Sequence, residues 1–183
     1  SGSFDGRGRK ILNLYIRWEL DTGMVGLFSA VDVGASISRL ILENFELRTR
    51  SGNAGALAGV NLGQISSCST SGRINADGSN AGGLVGVNRG LLRSCSFNGS
   101  VRGYSNAGGL CGQNLGEIHR SRSNAQVSGR TAIGALIGRN DNLVFNSFSA
   151  GGVTAEYQHA GGLIGLNMGT CSQSFSKASA YGV

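Results

Sequence analysis

The chain has 183 residues, with 32 glycines, no proline, 40% apolar residues, 14% charged residues and a formal net charge of +6. That length suits one ordinary domain with a real core, and the apolar content on a regular schedule argues against disorder despite the glycine. The longest apolar stretches, such as Leu40-Ile41-Leu42, are far too short to cross a bilayer, and no signal peptide is visible.

The chain opens on Ser1-Gly2-Ser3 without a methionine and stops inside a repeat at Val183, so we expect a piece of a longer protein. Phe4-Asp5-Gly6-Arg7-Gly8-Arg9-Lys10-Ile11-Leu12-Asn13-Leu14 leads into a first leucine phrase, Val25-Gly26-Leu27-Phe28. Leu40, Leu42, Phe45 and Leu47 then alternate as in a regular strand, and this early part, residues 1–53, diverges from the rest of the chain. Residues 54–183 are regular. The leucine phrase returns at Leu57, Leu84, Leu110, Leu136 and Leu163, so that the six leucines are 30, 27, 26, 26 and 27 residues apart. Two copies read Ala81-Gly82-Gly83-Leu84-Val85-Gly86-Val87-Asn88 and Ala107-Gly108-Gly109-Leu110-Cys111-Gly112-Gln113-Asn114. A fixed period of this size signals one structural unit stacked repeatedly.

Further columns share the period. One holds Ile65, Leu92, Ile118, Val144 and Cys171, and a second holds Cys68, Cys95, Ser121, Ser147 and Ser174. A third holds Ile74, Val101, Val127, Val153 and Ala180. Each period therefore offers three short apolar stretches separated by Gly, Asn and Ser clusters that read as turns. They are too short for helices, and glycine at this density costs a helix about 1 kcal/mol per residue. The expected fold is an all-β, right-handed parallel β-helix, or solenoid, of six to seven coils with about 27 residues each. Equivalent strands stack about 4.8 Å apart, giving a rod about 30 Å long whose stability resides mainly between coils. Asn61, Asn88, Asn114, Asn140 and Asn167 should form a buried ladder at a turn, where asparagine tolerates left-handed backbone and its amide bonds a stacked neighbour. The residue after each leucine is also apolar, from Phe28 to Ile164, which calls for a bend at that point or a covered outer face.

The cysteines fall into these columns as small buried hydrophobes. Cys68 and Cys95 are one period apart, close enough for a bridge between coils, although free thiols are the simpler expectation. No pair has the spacing of a zinc or redox site.

The lead-in from Phe4 to Leu14, followed by repeated Gly-Gly-Leu-x-Gly-x-Asn, resembles the GLUG-motif repeat family over nearly the whole chain. Ala56 and Ala135 replace the second glycine of the phrase, and Ser29 replaces the third glycine in the first copy. The resemblance implies a segment of a large exported bacterial protein, either a filamentous adhesin or the non-catalytic region of an immunoglobulin A-cleaving metallopeptidase. It supplies no catalytic residues.

Chemistry is sparse in the residues themselves. His119 and His159 stand in different columns, the ten acids are scattered, and no zinc, calcium or phosphate-loop pattern is present, so no cofactor or metal is expected. Charge is the one feature with binding meaning. From Ala81 to Arg139 there are seven arginines against a single acid, Glu117. Stacking would gather Arg89, Arg93, Arg102, His119, Arg120 and Arg122 into a basic stripe able to clasp sulfate, phosphate or carboxylate through paired donors. Nucleic acid is not expected, because aromatic interleaving and reading motifs are lacking. The expectation is a non-enzymatic stalk of a secreted or surface-exposed bacterial adhesin, contacting a host glycan or protein and flanked by further domains of its own chain. An accessory region of an immunoglobulin-cleaving protease, or a polysaccharide-active β-helix enzyme, is the alternative.

Overall fold

A computed structural model describes residues 2–182. It is all-β, without a helix, and winds as a parallel β-solenoid of about 6 turns with about 27 residues per turn. Every strand pairing is parallel, as expected when equivalent segments of successive turns lie side by side. No helix of the described residues is long and apolar enough to cross a membrane.

Three sheets form the walls. The first takes one three-residue strand from each turn, such as Gln64–Ser66, Leu91–Arg93 and Glu117–His119, and is seven strands deep. The second carries the long strands Ile41–Thr49, Ser69–Ala76, Ser96–Arg102, Arg122–Gly134 and Phe148–Gly161. It also takes the short segments Asn53–Gly55, Asn80–Gly82 and Ser105–Gly108. The third runs from Phe28–Val31 through Val85–Asn88 to Ile164–Asn167.

The leucines stack as their period requires. Leu84 N–H donates to the Leu110 carbonyl at 2.9 Å, and Leu110 N–H to that of Leu136 at 2.8 Å. Each leucine lies at a bend between a second-sheet and a third-sheet strand, so in the four inner copies, Leu57 to Leu136, both it and the next residue are buried: Leu84 and Val85 are each 0% exposed. The bend, rather than an outer cover, accounts for the apolar pair. The columns Ile65–Leu92–Ile118–Val144 and Ile74–Val101–Val127–Val153 are in register and fully interior.

Variations in turn length appear as bulges. In Ile41–Thr49 the buried apolar residues are Leu42, Phe45 and Leu47, and Asn44, at φ 55°, absorbs the extra residue between the first two. The alternation read from the sequence is broken there. A second register shift falls opposite Arg130, where Glu156 and Tyr157 occupy the place of one residue in the turn before.

The asparagine ladder is present. Asn61 Nδ2 donates to Asn88 Oδ1, Asn88 to Asn114, Asn114 to Asn140, each at 2.8 Å, and Asn140 to Asn167 at 2.7 Å. Its residues do not use left-handed backbone. That conformation belongs instead to the corner between the first and second sheets, at Ser67, Ser94, Arg120, Asn146 and Gln173. The ladder selects asparagine for its amide alone, which also bonds turn carbonyls such as Gly90 O at 3.2 Å.

Just beyond that corner, one position further along each turn, run Cys68, Cys95, Ser121 and Ser147. Ser121 Oγ donates to the His119 carbonyl at 2.9 Å and accepts from Cys95 N–H at 3.2 Å. All four cysteines are free. Burial pushes the Cys95 and Cys111 thiols up to about 12 and raises that of Cys68. Maleimide at pH 8 should therefore modify half-buried Cys171 in the native protein, with the other three reacting only after unfolding. Equal labelling of all four under native conditions contradicts this packing.

Among the described residues one buried hydroxyl has no partner. Ser123 Oγ is enclosed without a hydrogen bond, whereas Thr70 and Ser149 in the same column donate to the carbonyls of Gly83 and Gly162 at 2.9 and 2.7 Å. An unsatisfied buried polar atom costs about 1–3 kcal/mol. Ser123→Ala should accordingly raise the melting temperature, by about 2–4 °C for a gain near 1 kcal/mol. A fall in melting temperature would mean that the hydroxyl is bonded.

Candidate functional site

The structure separates the six basic residues expected to form one stripe. Arg93 and His119 are true neighbours, paired in register on the outside of the first sheet. Arg120 follows at the left-handed corner, φ 49°, and Arg122 begins the second sheet beyond it, between Ser96 and Phe148. Arg89 sits at the opposite corner, just past ladder residue Asn88. Arg102 lies at the far end of a second-sheet strand. Winding around the coil, not clustering, is the outcome, because residues a few positions apart in one turn point to different walls. His119 is further engaged by its own strand, its Nε2 lying 2.9 Å from Glu117 Oε2 and its ring stacking obliquely on Phe145.

A different cationic column is assembled by register. Arg17, Arg48, Asn75 and Arg102 pair in sequence across four successive turns. Each follows directly on the apolar column Ile16, Leu47, Ile74 and Val101, so each faces outward where its predecessor faces in. The signal was present in the sequence one residue beyond a recognised column. It was obscured because the early turns are longer and their register is set by the bulge at Asn44.

This column borders a groove of about 610 Å³ lined by Arg17, Trp18, Arg48, Arg50, Asp77 and Arg102. A smaller hollow of about 140 Å³ shares Asp77 and Arg102 with it and continues to Tyr104, Arg130 and Glu156. The aromatic residues here are open to solvent: Trp18 is 42% exposed, Tyr104 49% and Tyr157 67%. The Arg130 guanidinium lies 4.8 Å from the Tyr104 ring centroid and 4.5 Å from that of Tyr157, in the turns on either side. Its Nη1 also donates to the Tyr104 hydroxyl at 2.7 Å. The extra residue in the following turn is what lets Tyr157 reach over it.

Most cations along the groove have only exposed partners. Arg17 meets Glu19, Arg48 meets Glu46 at 2.8 Å, Arg50 meets Asp21 at 3.0 Å, and Arg130 meets Glu156 at 3.8 Å. Arg102 has no ion pair among the described residues. Exposed pairs of this kind contribute about 0–1 kcal/mol each and exchange readily for another anion. Among the described residues no three His, Cys, Asp or Glu side chains gather as a metal site.

Comparison with family models, with curated proteins and with solved structures finds no match to this chain.

Proposed function

We propose that the chain is a non-enzymatic spacer segment of a secreted or cell-surface bacterial adhesin, with its outer walls available to a host glycan or protein. The supporting observation is the unbroken asparagine ladder, which ties five successive turns through side-chain amides at 2.7–2.8 Å in addition to their backbone pairing. Such a ladder holds each turn in fixed rotation on the next. Six turns at about 4.8 Å add about 30 Å of stiff length. The resemblance of the leucine phrase to the GLUG repeats of exported proteins agrees with this role.

Single-molecule stretching between the first and last turns tests it. A turn of about 27 residues that peels off should lengthen the tether by about 90 Å, and a spacer should give resisted steps of that size. Smooth extension without resisted steps would remove the spacer role.

A further inference from the structure

The groove beside the Arg17–Arg48–Asn75–Arg102 column carries more than solubilising charge, and we infer that it binds an acidic polysaccharide laid along the solenoid axis. This deepens the binding part of the proposed function and does not depend on the stiffness of the segment.

Three features converge on that ligand class. The first is periodic cation placement. The column presents guanidinium groups on the first, second and fourth turns, separated by multiples of the strand spacing of about 4.8 Å. Guanidinium forks match carboxylate and sulfate oxygens through paired donors. Arg102, lacking an acidic partner among the described residues, is the one whose donors need no rearrangement.

The second feature is the set of open aromatic rings. Trp18 stands in the groove and Tyr104 in the hollow that continues it, with Tyr157 further along. Trp18 is held in place, since its Nε1 donates to the Thr22 carbonyl at 3.1 Å while the ring remains 42% exposed. Arg130 braces both tyrosines. A fixed exposed ring offers an apolar surface to the C–H face of a sugar at little entropic cost.

The third feature decides between polyanions. Glu19 and Asp77 line the groove with the arginines, and Glu156 lines the adjoining hollow. Carboxylates are acceptors only. A DNA backbone has no hydroxyl to offer them. An acidic sugar chain supplies both anions for arginine and hydroxyl donors for the carboxylates. The wide separation of successive rings, three turns from Trp18 to Tyr104 and two from Tyr104 to Tyr157, also departs from the close succession needed to stack adjacent bases.

Isothermal titration of the full 183-residue chain at low ionic strength tests this, using four probes. These are sulfated heparin octasaccharide, hyaluronan octasaccharide carrying only uronate, neutral dextran, and single-stranded oligo(dT). Binding of heparin or hyaluronan fragments, with dextran inert and oligo(dT) weaker, is expected, and the stronger of the two acidic sugars identifies sulfate or carboxylate as the recognised group. The double variant Arg48→Ala/Arg102→Ala should weaken that binding about tenfold or more, as loss of charge-assisted hydrogen bonds implies. The charge-matched double variant Arg89→Ala/Arg120→Ala, on other walls, should change it less than twofold. Tyr104→Ala, which leaves net charge untouched, should weaken it as well. All these positions are exposed, so unchanged circular dichroism and melting accompany each measurement. Equal weakening by the two arginine pairs would reduce the effect to bulk charge and overturn the site. So would tighter binding of oligo(dT), binding of dextran, or no binding of either acidic sugar. None of these outcomes bears on the stretching result.

Discussion

Gly82→Ala is expected to prevent the native coil from forming. Gly82 ends a short second-sheet strand, and a Cβ there would lie 2.0 Å from the Val85 carbonyl oxygen and 2.8 Å from the Cys111 Cα. Both are backbone atoms, so no side chain can swing aside. The facing leg is also closely approached, because a Cβ on Gly86 would sit 2.7 Å from Ala54 N. Two legs of the coil thus touch backbone to backbone, and the register carries Gly55, Gly82, Gly108, Gly134 and Gly161 down this seam. A methyl group can enter only by spreading the legs, which breaks inter-turn hydrogen bonds on both sides. Overpacking costs about 1–3 kcal/mol where neighbours can yield, and more where they cannot. We expect a loss above about 3 kcal/mol, seen as insoluble protein or a melting temperature lower by at least about 6 °C. Gly52→Ala is the control, since a Cβ there meets nothing within 4 Å. If both variants melt like the parent, the close seam is wrong.

Asn114→Ala should be the most damaging change on the asparagine ladder. Asn114 is 0% exposed, its Nδ2 donates to Asn140 Oδ1 at 2.8 Å and to the Leu143 carbonyl at 3.2 Å, and its Oδ1 accepts from Asn88 Nδ2 at 2.8 Å. Alanine leaves the amide oxygen of Asn140 and the Leu143 carbonyl without these donors in a dry interior. At about 1–3 kcal/mol for an orphaned buried group, a total near 3 kcal/mol is expected, or about 6–12 °C in melting temperature. Asn114→Asp should be worse, because it turns a carboxylate oxygen toward two carbonyl acceptors. Asn167→Ala, at the exposed last rung, should cost less than about 1 kcal/mol. Thermal melting ranks the three, and hydrogen exchange at Gly90 and Gly116 shows whether the loss spreads to adjacent turns. Equal effects at Asn114 and Asn167 would mean that the ladder contributes nothing in the interior.

Much of the fold was legible because stacking converts sequence distance into spatial contact. Leu57, Leu84 and Leu110 share a column in the sequence and share hydrogen bonds in the structure. The asparagine ladder was equally visible, although part of the reason assigned to it was mistaken: Ser67, Ser94 and Arg120, not the asparagines, take up the left-handed backbone. No residue preference marks that corner, since Ser, Arg, Asn and Gln all occupy it, so the sequence carries no signal for it. The basic residues show a different limit. Arg89, Arg93, Arg120 and Arg122 are near in sequence, yet the coil distributes them over separate walls and corners. Arg17, Arg48 and Arg102 are far apart in sequence and fall into line. Counting charge within a window measures the wrong distance in a solenoid.

The amino-acid sequence alone determined that this chain winds in turns of about 27 residues, which side chains fill the interior, and that asparagine amides join the turns. Those properties repeat, and a repeated requirement leaves a repeated letter. Only the tertiary structure decided which outward side chains meet, where the groove runs, and that Arg130 lies between Tyr104 and Tyr157. These depend on single-residue bulges at Asn44 and near Tyr157, each of which moves every later side chain relative to the turn below without altering the pattern of the core.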